Sequence, residues 1–282
     1  MLTLLQRQRK HPATLDNEPA VRAECASADD ENGPDCGFEE VWTIRSAVHL
    51  TFVLIPGAGI DPGVWCWTID ELQARGHRGV APRLPLDDPD AGPSAHAGAV
   101  VEAVRQLCQP LVVVGQSLGA FAASLVAACI EVAEIVLVAP MIPARGETAR
   151  DWWADVKHDE AIAPLIERLG PMGTWGPEEL VEIFLHDVPA DIVLAAEQFN
   201  GTPGPGMFRE PWPLSAWPEV PTRVLAPRED RLFPLAFQRR VAHERLGLPV
   251  AEVSGGHLPM LAGPGELADR LAAVSLGGDR RS

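Results

Sequence analysis

The stretch Leu111-Val112-Val113-Val114-Gly115-Gln116-Ser117-Leu118-Gly119 decides the fold of this chain. Four apolar residues precede its Gly-x-Ser-x-Gly motif, and an Ala-rich run at 120–129 that favours a helix follows it. A strand, a sharp turn and a helix in this order form a nucleophile elbow, which exposes a serine hydroxyl at the end of the strand. The glycines have no Cβ, so the chain can turn sharply and neighbouring backbone can approach closely. The motif therefore predicts Ser117 as a nucleophile.

Short apolar runs bounded by Gly or Pro recur on both sides of this motif, and segments with helical spacing lie between them. The runs are rich in Val, Leu and Ile without strict alternation, which is typical of strands buried on both faces of a parallel sheet. The predicted strands are 50–55, 79–81, 111–114, 135–139, 223–226 and 250–253, and the predicted helices are 64–75, 94–108, 118–130, 234–246 and 264–274. This alternation predicts the α/β class, with a doubly wound, mainly parallel sheet.

One long stretch interrupts the alternation. Between residues 139 and 223 no run predicts a strand, whereas helical spacing appears at 159–169, 177–186 and 190–199, before a Gly/Pro-rich run at 200–213. Five of the eight tryptophans fall here, namely Trp152, Trp153, Trp175, Trp212 and Trp217. We expect a helical cap insertion at 141–218 over the carboxyl edge of the sheet, where ligands bind in open α/β folds.

The remaining segments complete the predicted organisation. The core of the α/β unit would comprise residues 41–140 and 219–282, on either side of the insertion. Residues 1–40 mix Asp, Glu, Asn, Pro and Ala with little periodicity. Such a composition buries little apolar surface, so we expect a disordered N-terminal tail.

A serine nucleophile needs a base and an acid that orients the base, and in this type of fold they follow in the order Ser, Asp or Glu, His. Asp230 follows the predicted strand 223–226 by four residues, and His257 follows the predicted strand 250–253 by four residues. Both side chains would therefore lie at the carboxyl edge of the sheet, together with Ser117. The spacing predicts Ser117, Asp230 and His257 as a catalytic triad, without a metal.

Other acids and bases are less well placed. Glu229 is the alternative to Asp230 as the acid. The other histidines considered as bases, His77, His96 and His243, lie beside or within predicted helices, where solvated or core roles are expected. His186 and Asp187 form a second possible pair, but they lie in the insertion, where we expect His186 to cap a helix.

Acyl transfer also needs backbone N–H groups aimed at the developing oxyanion. One should belong to Leu118, which directly follows the nucleophile. The other should come from the loop after the first predicted strand, Pro56-Gly57-Ala58-Gly59, with the Ala58 N–H as first choice. This loop is not followed by Lys-Ser or Lys-Thr and lacks a complete G-x-G-x-x-G, which argues against a nucleotide site.

Composition excludes several classes of function. The 282 residues carry a formal net charge of −16, from 39 acidic and 23 basic residues, which disfavours nucleic acids and anionic membranes as partners. No apolar run reaches the roughly 18 residues of a membrane span, and the N-terminus lacks a signal-peptide pattern, so we expect a cytoplasmic location. The five cysteines show no Cys-x-x-Cys spacing, so we expect no metal and no cofactor. The expected partner is a small-molecule substrate, and the oligomeric state is left open.

Several motifs together resemble the small α/β-hydrolases related to plant methylesterases and hydroxynitrile lyases, and their actinobacterial hydrolase members. The matching segments in the core are Pro56-Gly57-Ala58-Gly59, Trp65-Cys66-Trp67, Gly76-His77-Arg78, Gly115–Gly119, Glu229-Asp230 with Pro234 and Phe237-Gln238, and Gly256-His257-Leu258-Pro259-Met260. In the insertion they are Met141-Ile142-Pro143, Gly146-Glu147-Thr148 and Trp152-Trp153. The resemblance spans residues 48–275. It implies the same triad and the same oxyanion donors, Ala58 and Leu118.

Departures from the family pattern narrow the expected chemistry. Pro56 and Gln116 stand where the family usually has His, but neither change removes a triad member or a backbone donor. The hydroxynitrile lyases carry Thr where Gly57 stands and Lys where Leu258 stands. Cyanohydrin cleavage needs a cation to hold the departing cyanide, and Leu258 supplies none, which argues against a lyase of that type.

The leading hypothesis is a serine hydrolase that cleaves an ester, thioester or lactone of a mostly apolar small molecule through an acyl-enzyme on Ser117. Substrate contacts are expected from Gln116 and from four tryptophans, Trp65, Trp67, Trp152 and Trp153, although packing is an equal alternative for the indole rings. The first alternative function is a cyclase, dehydratase or C–C lyase of natural-product biosynthesis that uses His257 for proton transfer. The second is a ligand-binding receptor on the same scaffold.

Overall fold

The computed structural model describes residues 49–107 and 110–273. The predicted disordered tail, residues 1–40, lies outside the described residues. Within the described residues six strands form one sheet: β1 (Thr51–Ile55), β2 (Arg78–Val80), β3 (Leu111–Gln116), β4 (Glu134–Val138), β5 (Thr222–Pro227) and β6 (Val250–Val253). Each begins and ends within two residues of its predicted bounds.

Helices connect the strands and fill the long stretch between β4 and β5. They are α1 (Cys66–Ala74), α2 (Pro93–Val104), α3 (Gly119–Cys129), α4 (Ala149–Asp155), α5 (His158–Ala161), α6 (Ala163–Leu169), α7 (Pro177–Phe184), α8 (Ala190–Ala196), α9 (Gly206–Arg209), α10 (Leu235–Leu246), α11 (Pro259–Ala262) and α12 (Pro264–Ala272). Short 3-10 turns lie at Pro62–Trp65, Met172–Thr174 and Glu197–Phe199. No helix among the described residues is long and apolar enough to cross a membrane.

The sheet order is β2-β1-β3-β4-β5-β6, and every neighbouring pair is parallel. The chain moves outward from β1 to β2, returns past β1 to β3, and then continues in the opposite direction to β6. Such a reversal opens a crevice at the carboxyl ends of the two inner strands, which is where ligands bind in open α/β sheets. The predicted α/β class with a mainly parallel sheet is confirmed, and its crevice lies between β1 and β3.

Both faces of the sheet are covered. Alternate residues of β1 point to opposite faces, with Val53 and Ile55 in one apolar cluster and Phe52 and Leu54 in the other. All four side chains are buried. A strand buried on both faces needs apolar residues at every position, which explains the continuous apolar runs in the sequence.

The stretch between β4 and β5 contains helices α4 to α9 and, within its described residues, no strand longer than an isolated bridge. The continuous helix predicted at 159–169 is wrong in one detail, because α5 ends at Ala161 and α6 starts at Ala163. Pro164 lacks a backbone N–H and restricts the residue before it, so the helix is interrupted there. The division into core and cap stays a prediction.

Candidate active site

Ser117 occupies a strained turn directly after β3. Its φ angle is 52°, in the left-handed region that residues with a Cβ seldom adopt. The turn is held from both sides, because the Ser117 N–H donates to the Val138 carbonyl at 3.0 Å and the Met141 N–H donates to the Ser117 carbonyl at 3.0 Å. The end of β4 therefore fixes the serine at the carboxyl edge of the sheet.

The two glycines of the motif allow close backbone packing around this turn. A Cβ on Gly119 would lie 2.5 Å from the Pro56 carbonyl oxygen, and a Cβ on Gly115 would lie 2.8 Å from the Gly119 carbonyl oxygen. Backbone atoms cannot move aside as a flexible side chain can. Both positions therefore exclude every residue larger than glycine without a shift of β1 or α3.

Asp230 and His257 form a buried hydrogen-bonded pair. The His257 Nδ1 lies 2.9 Å from the Asp230 Oδ2, and the two residues are 2% and 4% exposed, respectively. The second carboxylate oxygen, Oδ1, accepts hydrogen bonds from the N–H groups of Leu232 at 2.9 Å and Phe233 at 2.8 Å. Both carboxylate oxygens are thus engaged, which fixes the orientation of the carboxylate toward the ring.

Glu229, the alternative acid, turns away from this pair. Its side chain is exposed, and its Oε2 accepts a hydrogen bond from the Gly255 N–H at 2.6 Å. The Glu229 N–H also donates to the Gly255 carbonyl at 3.0 Å. Glu229 thus links the loop after β5 to the loop after β6, while Asp230 is the carboxylate that meets His257.

A cavity of about 230 Å³ lies at the crevice between β1 and β3. Its lining includes Ser117, His257, Ala58 and Leu118, so the predicted nucleophile, base and oxyanion donors meet in one space. Asp230 is not among the lining residues, but it is hydrogen-bonded to His257, which is. In the part of the chain that is described, no hydrogen bond joins the Ser117 hydroxyl to the His257 ring, and such bonds often tighten only when substrate is bound.

Gln116 connects the loop after β1 to the base. Its side chain is fully buried, its Oε1 accepts from the Gly57 N–H at 2.8 Å, and its Nε2 donates to the His257 carbonyl at 3.1 Å. Among the described residues, the next N–H along the loop, at Ala58, donates to no other group, and neither does the Leu118 N–H. Gln116 lines the cavity as expected, but its amide binds backbone at both ends, so its evident role is to hold the loop.

Of the four tryptophans expected at the substrate, only Trp153 lines the cavity. Trp65 and Trp152 are fully buried in the core, and the Trp152 indole N–H donates to the Ile142 carbonyl at 3.0 Å. Trp67 packs edge-on against Phe199 with ring centroids 6.2 Å apart. The large apolar area of an indole suits both the core and the wall of a cavity. Sequence position alone therefore could not show which tryptophans pack in the core and which face the substrate.

The stretch between β4 and β5 contributes contacts that the sequence analysis missed. Phe184, at the end of α7, meets the His257 ring edge-on with centroids 5.4 Å apart. The Asp187 carboxylate accepts a hydrogen bond from the N–H of Gly256, the residue before the base, at 2.5 Å. Helix α8 begins with no side-chain cap hydrogen bond, so the structure does not support the capping role expected of His186. The only sequence signal for the hydrogen bond between Gly256 and Asp187 was the His186-Asp187 dipeptide itself, which the sequence analysis considered as an acid–base pair.

A second histidine supports the loop that carries Asp230. His158 is fully buried, and its Nε2 lies 2.8 Å from the carbonyl oxygen of Leu232. Its ring is surrounded by aromatic rings, including those of Trp153 and Phe233. Burial lowers the pKa of His158 below 6.5, because an imidazolium would lose its hydration there. The neutral ring can then donate one N–H to Leu232.

The chain is similar in sequence to known hydrolases. A sequence model of the "Alpha/beta hydrolase family" matches residues 52–270. A pyrethroid hydrolase of Sphingobium wenxiniae is 27% identical over 240 residues, which cover 78% of this chain and 85% of that protein. Among the described residues, no group of three or more His, Cys, Asp or Glu side chains could hold a metal ion.

Solved structures show the same fold. A pyrethroid hydrolase of Sphingobium faniae JZ-2 superposes with a TM-score of 0.64 at 24% identity, covering 79% of this chain and 96% of that one. Polyneuridine aldehyde esterase superposes with a TM-score of 0.65 at 18% identity, covering 79% of this chain and 98% of that one. The fold is therefore shared with solved structures whose sequence identity to this chain is below 25%.

Proposed function

The chain belongs to the alpha/beta hydrolase family, and from this premise we propose that it is a serine hydrolase of carboxylic esters, thioesters or lactones. One observation carries the proposal: a single cavity is lined by Ser117, by the buried His257 that Asp230 binds, and by Ala58 and Leu118, whose N–H groups have no other acceptor among the described residues. Nucleophile, base and oxyanion donors are the groups that acyl transfer needs in one place.

Each group has a defined role in the proposed reaction. His257 takes the proton of the Ser117 hydroxyl as the Ser117 Oγ attacks the substrate carbonyl carbon. Asp230 holds the imidazole with Nδ1–H toward itself, which leaves Nε2 to act as the base. The Ala58 and Leu118 N–H groups stabilise the tetrahedral oxyanion. His257 returns the proton to the leaving alcohol or thiol, and water then releases the acyl group from Ser117 by the same steps.

The cavity favours an uncharged, mostly apolar substrate. Among the described residues, its lining contains no Lys, Arg, Asp or Glu, and most of it is made of apolar side chains such as Phe184, Phe199 and Leu258. A charged substrate group would lose its hydration there without a partner. The names of two relatives, a pyrethroid hydrolase and an aldehyde esterase, support an ester as the cleaved bond. Leu258 offers no cation for a departing cyanide.

The test compares turnover of short nitrophenyl esters, a pyrethroid, thioesters and lactones by the native protein and by Ser117→Ala. We expect Ser117→Ala to lower kcat/KM by about 10³-fold or more. Intact-protein mass measurement should detect an acyl adduct on Ser117 in the native protein. Ser94→Ala, at an exposed position on α2 away from the cavity, is the matched control and should leave turnover unchanged.

Two outcomes would contradict the proposal. Full turnover of the native substrate by Ser117→Ala would favour a cyclase, dehydratase or lyase that uses His257 without an acyl-enzyme. Tight ligand binding without turnover of any ester would favour a receptor.

A further inference from the structure

Two imidazole rings meet the same phenylalanine beside the acid. The Phe233 ring packs edge-on against the His257 ring, with centroids 5.0 Å apart, and against the His158 ring, with centroids 5.5 Å apart. His257 is the proposed base. His158, at the start of α5, is fully buried but has no role in the reaction described above. Burial of a polar ring is unfavourable unless the ring is hydrogen-bonded, so its hydrogen bond shows what the ring does.

The His158 ring is connected to the acid through a single peptide group. Its Nε2 lies 2.8 Å from the Leu232 carbonyl oxygen. That carbonyl and the Phe233 N–H belong to the same peptide group, and the N–H donates to the Asp230 Oδ1 at 2.8 Å. A peptide group is planar, so a contact that fixes its carbonyl also fixes its N–H. The Asp230 Oδ2 lies 2.9 Å from the His257 Nδ1, which completes a path from one histidine to the other.

The surroundings of His158 select one protonation state. A carbonyl oxygen only accepts hydrogen bonds, so Nε2 carries the proton that is donated to Leu232. Among the described residues, the buried Nδ1 has no hydrogen-bond partner, and the Asp159 Oδ1 at 3.8 Å is too distant to form one. A proton on Nδ1 would therefore be buried without an acceptor, which is unfavourable. The ring is held neutral, with its one N–H aimed at the peptide group.

We propose that His158 is a positioning residue, whose Nε2–H orients the peptide group between residues 232 and 233 and thereby the Asp230 carboxylate. Hydrogen bonds in such a chain polarise one another, so donation at the carbonyl also strengthens the bond from the peptide N–H to the carboxylate. The inference rests on the proposed ester hydrolysis, in which that carboxylate orients His257. Since His257 moves a proton only during the reaction, loss of the His158 N–H should lower kcat and leave KM nearly unchanged.

The test compares His158→Gln with His158→Met, which introduce unbranched side chains of similar size. Only the glutamine has an N–H that can donate to the Leu232 carbonyl, whereas both variants lose the ring contacts with Trp153 and Phe233. For a nitrophenyl ester, kcat of His158→Gln should stay within about threefold of the native protein. His158→Met should have a kcat at least about tenfold below that of His158→Gln, with KM equal within about twofold. A role in stability alone would lower the free energy of unfolding of His158→Met and leave kcat per folded molecule unchanged.

The same exchange in the Asp230→Asn protein shows whether His158 acts through the carboxylate. Without the carboxylate there is nothing left to position, so the glutamine and methionine variants should differ by less than about twofold there. Such a coupling between two sites is what a double-mutant cycle measures. Should the methionine disturb folding, His158→Leu, which also lacks a side-chain N–H, replaces it in both backgrounds.

The inference is overturned if the glutamine and methionine variants have the same kcat, or if their tenfold difference persists without the Asp230 carboxylate. Failure of the proposed function is a separate result, in which the native protein cleaves no ester. The rate at which a fluorophosphonate labels Ser117, which also requires an activated serine, then takes the place of kcat with the same expectations. No labelling of the native protein would overturn the inference as well.

Discussion

Asp230 and Glu229 are adjacent carboxylates with opposite surroundings. Asp230 is buried and bonded to His257, whereas Glu229 is exposed and bonded to the backbone of Gly255. This contrast is decided by the direction of the turn after β5. Sequence spacing placed both residues at the correct edge of the sheet but could not show which of the two side chains points inward.

Exchanging each carboxylate for its amide should separate the two roles. Asp230→Asn removes the acceptor that holds the His257 ring in the productive tautomer, so we expect kcat for a nitrophenyl ester to fall by roughly 10²- to 10⁴-fold. Glu229→Gln keeps an acceptor for the Gly255 N–H and should stay within about threefold of the native protein. The measurement is kcat of both variants from steady-state kinetics. An equal decrease of kcat in the two variants would contradict the role of Asp230 as the acid that orients His257.

The Gln116 side-chain amide joins the loop after β1 to the backbone of the base. Replacing it by Leu leaves the Gly57 N–H and the His257 carbonyl without partners in a buried site. We expect Gln116→Leu to lower the free energy of unfolding by about 1–3 kcal/mol, as measured by urea denaturation. Because Gly57 precedes Ala58, kcat should fall as well, while KM changes little. A large rise in KM with an unchanged kcat would instead indicate a direct substrate contact.

At the scale of elements, the end of α7 and the turn after it contact His257 and the residue before it. Phe184 packs against the His257 ring, and Asp187 accepts a hydrogen bond from Gly256. The same helix meets the loop that carries the acid, since Arg231 Nη1 donates to the Glu182 carbonyl at 3.0 Å. The end of α7 and the turn after it therefore contact both loops that carry the acid–base pair.

Removing the Asp187 carboxylate should make the position of His257 less fixed without unfolding the protein. We expect Asp187→Ala to lower kcat/KM by about tenfold, because the Gly256 N–H loses its acceptor beside His257. Asp187→Asn retains an acceptor oxygen and should recover most of the activity. Asp191→Ala, an exposed carboxylate at the start of α8, is the control and should behave as the native protein. The idea fails if Asp187→Asn is as impaired as Asp187→Ala.

The elements of the core were predictable and those of the insertion only partly so. Strands such as β3 are short apolar runs with clear ends, and their order places Ser117, Asp230 and His257 at one edge. Helices α4, α9 and α11 are too short to show a period, and Pro164 divides a helix that the apolar spacing alone predicts as continuous. The cavity wall depends on how these short pieces pack together, which no local pattern records. The hydrogen bond from Gly256 to Asp187 therefore escaped the sequence analysis.

For the molecule as a whole, buried histidines couple folding to pH. Burial lowers the pKa of His158, and also those of His96 and His77, below 6.5. Below about pH 6.5 the unfolded chain therefore binds more protons than the folded one. By linkage the free energy of unfolding then decreases as the pH falls, whereas well above pH 6.5 both states are neutral at these positions and the contribution is complete.

The contribution of His158 can be isolated by substitution. The free energy of unfolding of the native protein should fall between pH 7.5 and 5.5, and one histidine can contribute at most about 1.4 kcal/mol per pH unit. His158→Gln keeps an N–H that can donate to Leu232 and removes the titrating ring, so its decline should be shallower. His243→Gln, at an exposed position on α10, should keep the native slope. Urea titrations across this range provide the measurement, and identical slopes for native protein and His158→Gln would refute the assignment.

The bridge between Ile60 and Asn200 also restricts how this enzyme can evolve. The cavity wall and the oxyanion loop share backbone hydrogen bonds, so a length change in 199–203 would displace the Gly59 carbonyl and its neighbour Ala58 together. New substrate ranges are therefore reached most readily by exchanging side chains at a constant loop length. A directed-evolution library has its best targets at Trp153, Phe208 and Leu261, which line the cavity and take no part in the bridge.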